Sequence, residues 1–141
     1  MRRTIVACGL ALVLSGCWIG EGGMPLPRQH AGETYPGDRR ELSGVLEVSD
    51  FGCLNIALDG ETYLVIWPAG SDYADLGDRP QGVLLPGGQV IAEGDPVVGT
   101  GAFTSTEPLL ANRDSSLAYA IGGCAPDASE VIVFDTADRG S

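Results

Sequence analysis

The residues of this chain that could carry chemistry are few: one histidine, four cysteines and nineteen carboxylates. Glu93 and Asp95 stand two apart, a spacing that in a cleft would allow one acid to donate a proton and the other to accept one. They flank Gly94 and precede Pro96, however, and that text is accounted for by a turn. Asp72, Asp75 and Asp78 recur every third position, so on one helical turn they would share a face and suit Ca²⁺. An EF-hand needs ligands at alternate positions, a central glycine and a terminal bidentate glutamate. These three are the chain's calcium candidate, set against a solvated loop or short helix. His30 lies in glycine- and proline-rich text and reads as a solvated side chain. No Gly-x-Ser-x-Gly elbow, His-Glu-x-x-His, phosphate loop or Cys-x-x-Cys occurs. The expectation is a protein that is not an enzyme and needs no cofactor, with a hydrolase built on carboxylates as the alternative.

The cysteines are more informative. Arg2 and Arg3 are followed by an apolar run from Thr4 to Gly16 that ends at Cys17. About a dozen apolar or small residues behind two positive charges have the form of a secretory signal. The run is too short to cross a hydrocarbon layer, which takes roughly 20 residues of helix. Leu14-Ser15-Gly16-Cys17 resembles the lipobox of bacterial lipoproteins, in which a branched apolar residue and two small ones precede a cysteine that becomes the new N-terminus. By that resemblance residues 1–16 are a signal peptide and Cys17 is the lipidation site. The chain is then held on the extracytoplasmic side of a bacterial membrane, with membrane lipid as its first partner. Ile5-Val6-Ala7-Cys8 fits the same pattern but leaves only Thr4 between it and the arginines, so no apolar segment could precede the cut. With Cys17 acylated and Cys8 in the signal, Cys53 and Cys124 remain. In an oxidising compartment two leftover thiols are expected to pair, and neither has a neighbouring cysteine or histidine to complete a metal site.

The formal charge is -11, and lysine is absent. Removing residues 1–16 takes away two of the eight basic residues and no acids, so the charge becomes 6 - 19 = -13. A domain this acidic is repelled by nucleic acid. Its partners are expected to be cationic, neutral or metallic, and much of the charge serves to keep the surface solvated.

The elements that must position these residues follow from periodicity. Residues 17–40 carry Gly20, Gly22, Gly23, Pro25, Pro27, Gly32, Pro36 and Gly37 and read as a flexible tether, holding the domain roughly 25 Å from the lipid surface. The domain is expected over residues 41–135, with a frayed tail over 136–141. Leu42 to Val48 alternates as a half-buried strand. Cys53 to Leu58 does the same, and Asp59-Gly60 is a hairpin turn in which both residues need positive φ. Thr62 to Trp67 is the returning strand, so three strands form a meander. Ala69 to Gln81 reads as a connection. Val83 to Leu85, Gln89 to Ala92 and Val97 to Phe103 read as further strands, and Gly99 and Gly101 inside the last mark a bulge, a barrel corner or the close approach of another backbone. Thr104 to Ser116 reads as a polar loop, Leu117 to Ile121 as a helical turn, and Glu130 to Phe134 as a short last strand.

This pattern predicts an all-β domain, a small antiparallel barrel of five to six short strands, with a β-sandwich as the alternative. The order of a meander, an irregular connection and further strands resembles the OB-fold plan. The segments Gly52 to Pro68 and Glu93-Gly94-Asp95 are similar to small exported proteins of high-GC bacteria that carry no assigned activity. Tyr63, Trp67 and Tyr73 cluster at the end of the third strand and in the connection after it. They are the candidate binding surface, because small barrels present aromatics at the rim. The competing reading places Tyr63, Val65 and Trp67 on one face turned into the core. The functional expectation is a membrane-anchored binding or interaction module taking an envelope protein or a small ligand. A structural or accessory envelope lipoprotein is the alternative.

Overall fold

A computed structural model of the protein describes residues 25–75 and 80–141. The proposed signal, Cys8 and Cys17 lie outside the described residues.

The meander is present as β1 (Arg40–Val48), β2 (Leu54–Leu58) and β3 (Glu61–Ile66). The β2–β3 turn has φ of 52° at Asp59 and 82° at Gly60, the positive pair that an Asp-Gly hairpin requires. Three short strands follow, β4 (Asp72–Asp75), β5 (Pro80–Leu84) and β6 (Val90–Ala92), then the long β7 (Pro96–Ser105). Two helices, α1 (Thr106–Ala111) and α2 (Ser116–Cys124), lead to β8 (Glu130–Arg139).

Five strands close into a barrel in the order β1-β2-β3-β8-β7, with β7 returning to β1. Every pairing is antiparallel except β3 with β8, which is parallel at Val65–Ile132 and Ile66–Val133. A small closed five-stranded barrel of this kind is consistent with an OB-like domain. The two glycines of β7 mark the corner. The ladder to β8 shifts register between Thr100 and Gly101. A Cβ at Gly99 would collide with the Thr136 carbonyl oxygen and one at Gly101 with the Val133 carbonyl oxygen. Only residues without side chains let β7 approach β8 this closely.

Inside the barrel Leu42, Leu46, Leu54, Ile56, Val65, Trp67, Val97, Ile132 and Phe134 form one buried cluster. The rings of Trp67 and Phe134 lie 5.9 Å apart at its centre. The β4-β5-β6 sheet adds Val83, Leu85 and Ile91 to the same cluster and so closes one end of the barrel. A second cluster lies outside the wall, where Ile121 of α2 packs on Leu64 and Ile66 of β3 and on Val131 and Val133 of β8. Both faces of β3 and β8 are therefore covered, which explains why Leu64 to Trp67 and Val131 to Phe134 read as continuous apolar runs. The Cys53–Cys124 disulfide, with Cα atoms 5.8 Å apart, ties the end of α2 to the start of β2.

Four expectations from the sequence change. The segment from Pro25 to Arg40 is not a free tether. Pro27 O accepts from Trp67 N and Gln29 N donates to Trp67 O, both at 2.9 Å. Gln29 Nε2 donates to Phe134 O at 2.8 Å, and Leu26 joins the core. This segment seals the gap where β3 and β8 diverge past their two paired residues. The tail is not frayed, because 136–139 continue the β7 ladder from Thr136 opposite Thr100 to Arg139 opposite Val97. The connection after Trp67 contains β4 and the start of β5, paired antiparallel with a bulge at Ala74/Asp75. The polar stretch before Ser116 contains α1, whose Leu109 and Leu110 rest on the outer cluster.

Candidate functional site

The three aromatics proposed as one binding surface do not come together. Trp67 is fully buried at the barrel centre, so it belongs to the core and leaves the binding surface. Alternation decides this: Tyr63, Val65 and Trp67 all point inward, and only Tyr63 is near enough to a barrel end to meet solvent. Tyr73, on β4, lines a separate groove.

The acids and the histidine also find their places. Asp95 Oδ2 accepts from Ala92 N at 2.9 Å and meets Arg139 Nε at 3.4 Å, with Gly94 at φ 87° between the two acids. The Glu93–Asp95 pair is thus a turn, as its flanking residues indicated. Asp72 is exposed on β4, and its Oδ1 accepts from Tyr73 N. Asp78 and the side chain of Asp75 lie outside the described residues. Among the described residues, no group of three His, Cys, Asp or Glu is placed to hold a metal ion. His30 is exposed on the wall of the groove.

That groove, with a volume of about 750 Å³, runs between Pro25–Arg28, β4 and the two helices. Two of its charged side chains already bond the chain's own backbone. Arg28 Nη1 donates to Ser71 O at 2.8 Å, and Glu33 Oε2 accepts from His30 N at 2.9 Å. Burial and a hydrogen bond to Glu33 push the Tyr35 phenol well above the ordinary tyrosine range. Burial likewise raises Tyr73.

A second concavity, about 550 Å³, is the barrel end opposite the β4-β5-β6 sheet. Topology assembles it. Because β3 and β8 run parallel, their starts lie at the same end, and their antiparallel neighbours bring the ends of β2 and β7 and the start of β1 to meet them. This places Leu58 and Asp59 from the hairpin, Glu61 and Tyr63 from β3, Phe103 from β7, Glu130 from β8, and Arg40 with Asp38 around one mouth. Tyr63 and Phe103 form its floor, with ring centroids 5.0 Å apart and planes at 68°, an edge-to-face contact. Tyr63 OH donates to Glu61 Oε2 at 2.7 Å. That bond, partial desolvation and the fields of Glu61, Glu130 and Asp59 raise the phenol above its ordinary value. Arg40 Cζ lies 4.9 Å from the centroid of the Phe103 ring, within cation–π range. Among the described residues, Asp38, Asp59 and Glu130 have neither hydrogen bond nor ion pair through their carboxylates. With Glu61 and Arg40 the mouth carries 4 - 1 = 3 net negative charges.

Periodicity placed Tyr63 but not its companions. Asp38, Arg40, Phe103 and Glu130 are distant in sequence and meet only through the parallel β3–β8 pairing and the β1–β7 closure. The one local signal was the density of acid at the hairpin, Asp59-Gly60-Glu61.

In OB-like barrels the outer face of strands 2 and 3 is the surface that takes oligonucleotides and oligosaccharides. Here α2 lies against β3 and its neighbour β8, packed through Ile121 and fastened by the Cys53–Cys124 bridge. Nothing in the arrangement of the described residues indicates catalysis. Comparison with known protein families, with curated proteins and with solved structures finds no match.

Proposed function

We propose that this chain is a lipid-anchored extracytoplasmic binding module, fixed to a bacterial membrane through Cys17 and recognising its partner at the open end of the barrel. The lipobox-like Leu14-Ser15-Gly16-Cys17 supports the anchor. Two or more acyl chains on one cysteine give stable attachment, whereas one chain gives only reversible binding. The observation that carries the binding half is the mouth itself, where an aromatic floor is ringed by four carboxylates, three of which, Asp38, Asp59 and Glu130, have no partner within the described residues. Three unpartnered carboxylates converging on a half-buried aromatic pair favour a cationic group from outside the molecule, and concave sites with a few convergent polar groups are where ligands bind. The groove beside the helices is larger, but Arg28, Glu33 and Asp72 on its walls each already make a hydrogen bond to the chain's own backbone.

Since Leu26 is part of the core, only residues 18–24 separate Cys17 from the folded unit. A chain reaches at most ~3.6 Å per residue, so a domain anchored at Cys17 stays within about 30 Å of the lipid surface. The module therefore works close to the membrane.

Two experiments test the proposal. Cys17→Ser should abolish acyl labelling and leave a longer precursor; normal processing with unchanged labelling rules out Cys17 as the anchor. A photo-crosslinking amino acid at Leu58, at the mouth, should give an adduct in intact cells that one at Asn112, on the groove, does not. Adducts from position 112 alone would move the binding surface to the groove.

A further inference from the structure

Resting on the reading that the mouth is the binding surface, we infer that what it binds is a guanidinium group: an arginine side chain on a basic segment of a partner polypeptide. Three independent features of the mouth select that chemistry. The floor is aromatic, and a planar cation stacks on an aromatic face where a compact, strongly hydrated ammonium gains less. The rim supplies Asp38, Asp59, Glu61 and Glu130, acceptors for the fork of donors that a guanidinium presents. Finally, the protein already seats a guanidinium there. Arg40 lies 4.9 Å over Phe103 and, among the described residues, makes no ion pair. Arg40 acts as an internal occupant, holding part of the site that an incoming arginine takes.

The chain's charge agrees with a basic partner. It has no lysine and a formal charge of -11, so association with a basic segment is steered by the whole molecule. The mouth adds the specificity that bulk charge lacks. A neutral or acidic ligand would leave Asp38, Asp59 and Glu130 uncompensated on closing over the floor, which disfavours it.

The test is a calorimetric titration of the full chain, purified in detergent, with a tetra-arginine peptide, and with tetra-lysine and tetra-glutamate peptides of equal length. Tetra-arginine should bind several-fold more tightly than tetra-lysine, and tetra-glutamate should not bind. Glu130→Gln and Asp59→Asn should each weaken tetra-arginine binding by about two- to five-fold, the range of an exposed ion pair. Phe103→Leu should weaken it by a similar factor, about the worth of an exposed cation–π contact. Arg40→Ala should tighten it, whereas Arg113→Ala, the same loss of charge on the turn between the helices, should leave it unchanged. Equal tightening by both arginine variants overturns the inference, because non-specific attraction then accounts for the binding. Equal affinity for tetra-lysine, or Glu130→Gln without effect, also overturns it. If Phe103→Leu melts far below the parent, the polar variants and the Arg40/Arg113 contrast decide alone. An adduct at Leu58 in cells with no tetra-arginine binding would keep the mouth as a binding surface and reject arginine as its ligand. No adduct and no binding would reject both.

Discussion

Replacing both Cys53 and Cys124 with alanine should lower the stability of the barrel by about 4 kcal/mol. The bridge spans a sequence separation of 71 residues. In the chain-entropy relation a loop of that length restricts the unfolded state by about 15 cal/mol/K, or about 4.4 kcal/mol at 25 °C. A folded unit of ~115 residues unfolds with an entropy of about 0.24 kcal/mol/K, so the melting temperature should fall by roughly 18 °C. The effect should also have a place in the structure. Among the described residues α2 makes no hydrogen bond to the barrel, and what holds it is Ile121 and Leu117 at the outer cluster together with the disulfide. Its amides should therefore exchange faster than those of β3 and β8 once the bridge is gone. Scanning calorimetry on the oxidised parent, the reduced parent and the double variant measures the first effect, and amide exchange read by mass spectrometry the second. A fall of less than about 5 °C, in a parent whose bridge is verified by mass, would refute the loop-entropy reasoning. Unchanged exchange in α2 would refute the claim that the bridge fastens it.

Trp67→Ala should cost about 3–5 kcal/mol, the range for emptying a large aromatic site in a core. In a Trp18→Phe background the parent should show the blue-shifted emission of a buried indole, and solvent-exposed emission would contradict the placement of Trp67. Gly101→Ala should destabilise severely or prevent folding, since its Cβ meets the Val133 carbonyl; a melting temperature within a few degrees of the parent would count against the close β7–β8 crossing. The phenols of Tyr35 and Tyr73 are raised by burial, so folded protein keeps protons that unfolded protein releases. Stability from these groups is present in full below about pH 10 and is lost as pH climbs above it. Melting temperatures between pH 8 and 11.5 should fall at the upper end, and less steeply in Tyr35→Phe/Tyr73→Phe; identical curves would contradict the assignment.

The parts of the fold that were legible from sequence are those set by neighbours along the chain. Asp59-Gly60 prescribed its turn, the alternation from Leu42 to Leu58 prescribed two strands, and Gly99 and Gly101 marked the corner. What escaped depends on pairing between distant strands. Nothing near Thr136 announces that β7 extends its ladder that far, and Gln29 looks like linker until Phe134 O is found opposite its amide. The mouth was legible at Tyr63 alone, because alternation assigns a residue to a face but not to an end of a barrel. Trp67 shows the same limit in reverse, sharing the face of Tyr63 yet lying four residues deeper, where that face is sealed.

The most direct measurement of the binding claim is an amide chemical-shift titration of the full chain with tetra-arginine peptide. Perturbations confined to residues 38–40, 58–63, 103 and 130, with 72–73 and 109–117 unmoved, are the predicted result. Perturbations centred on the groove at 109–117, or spread evenly over the acidic surface, would contradict a recognition site at the barrel mouth.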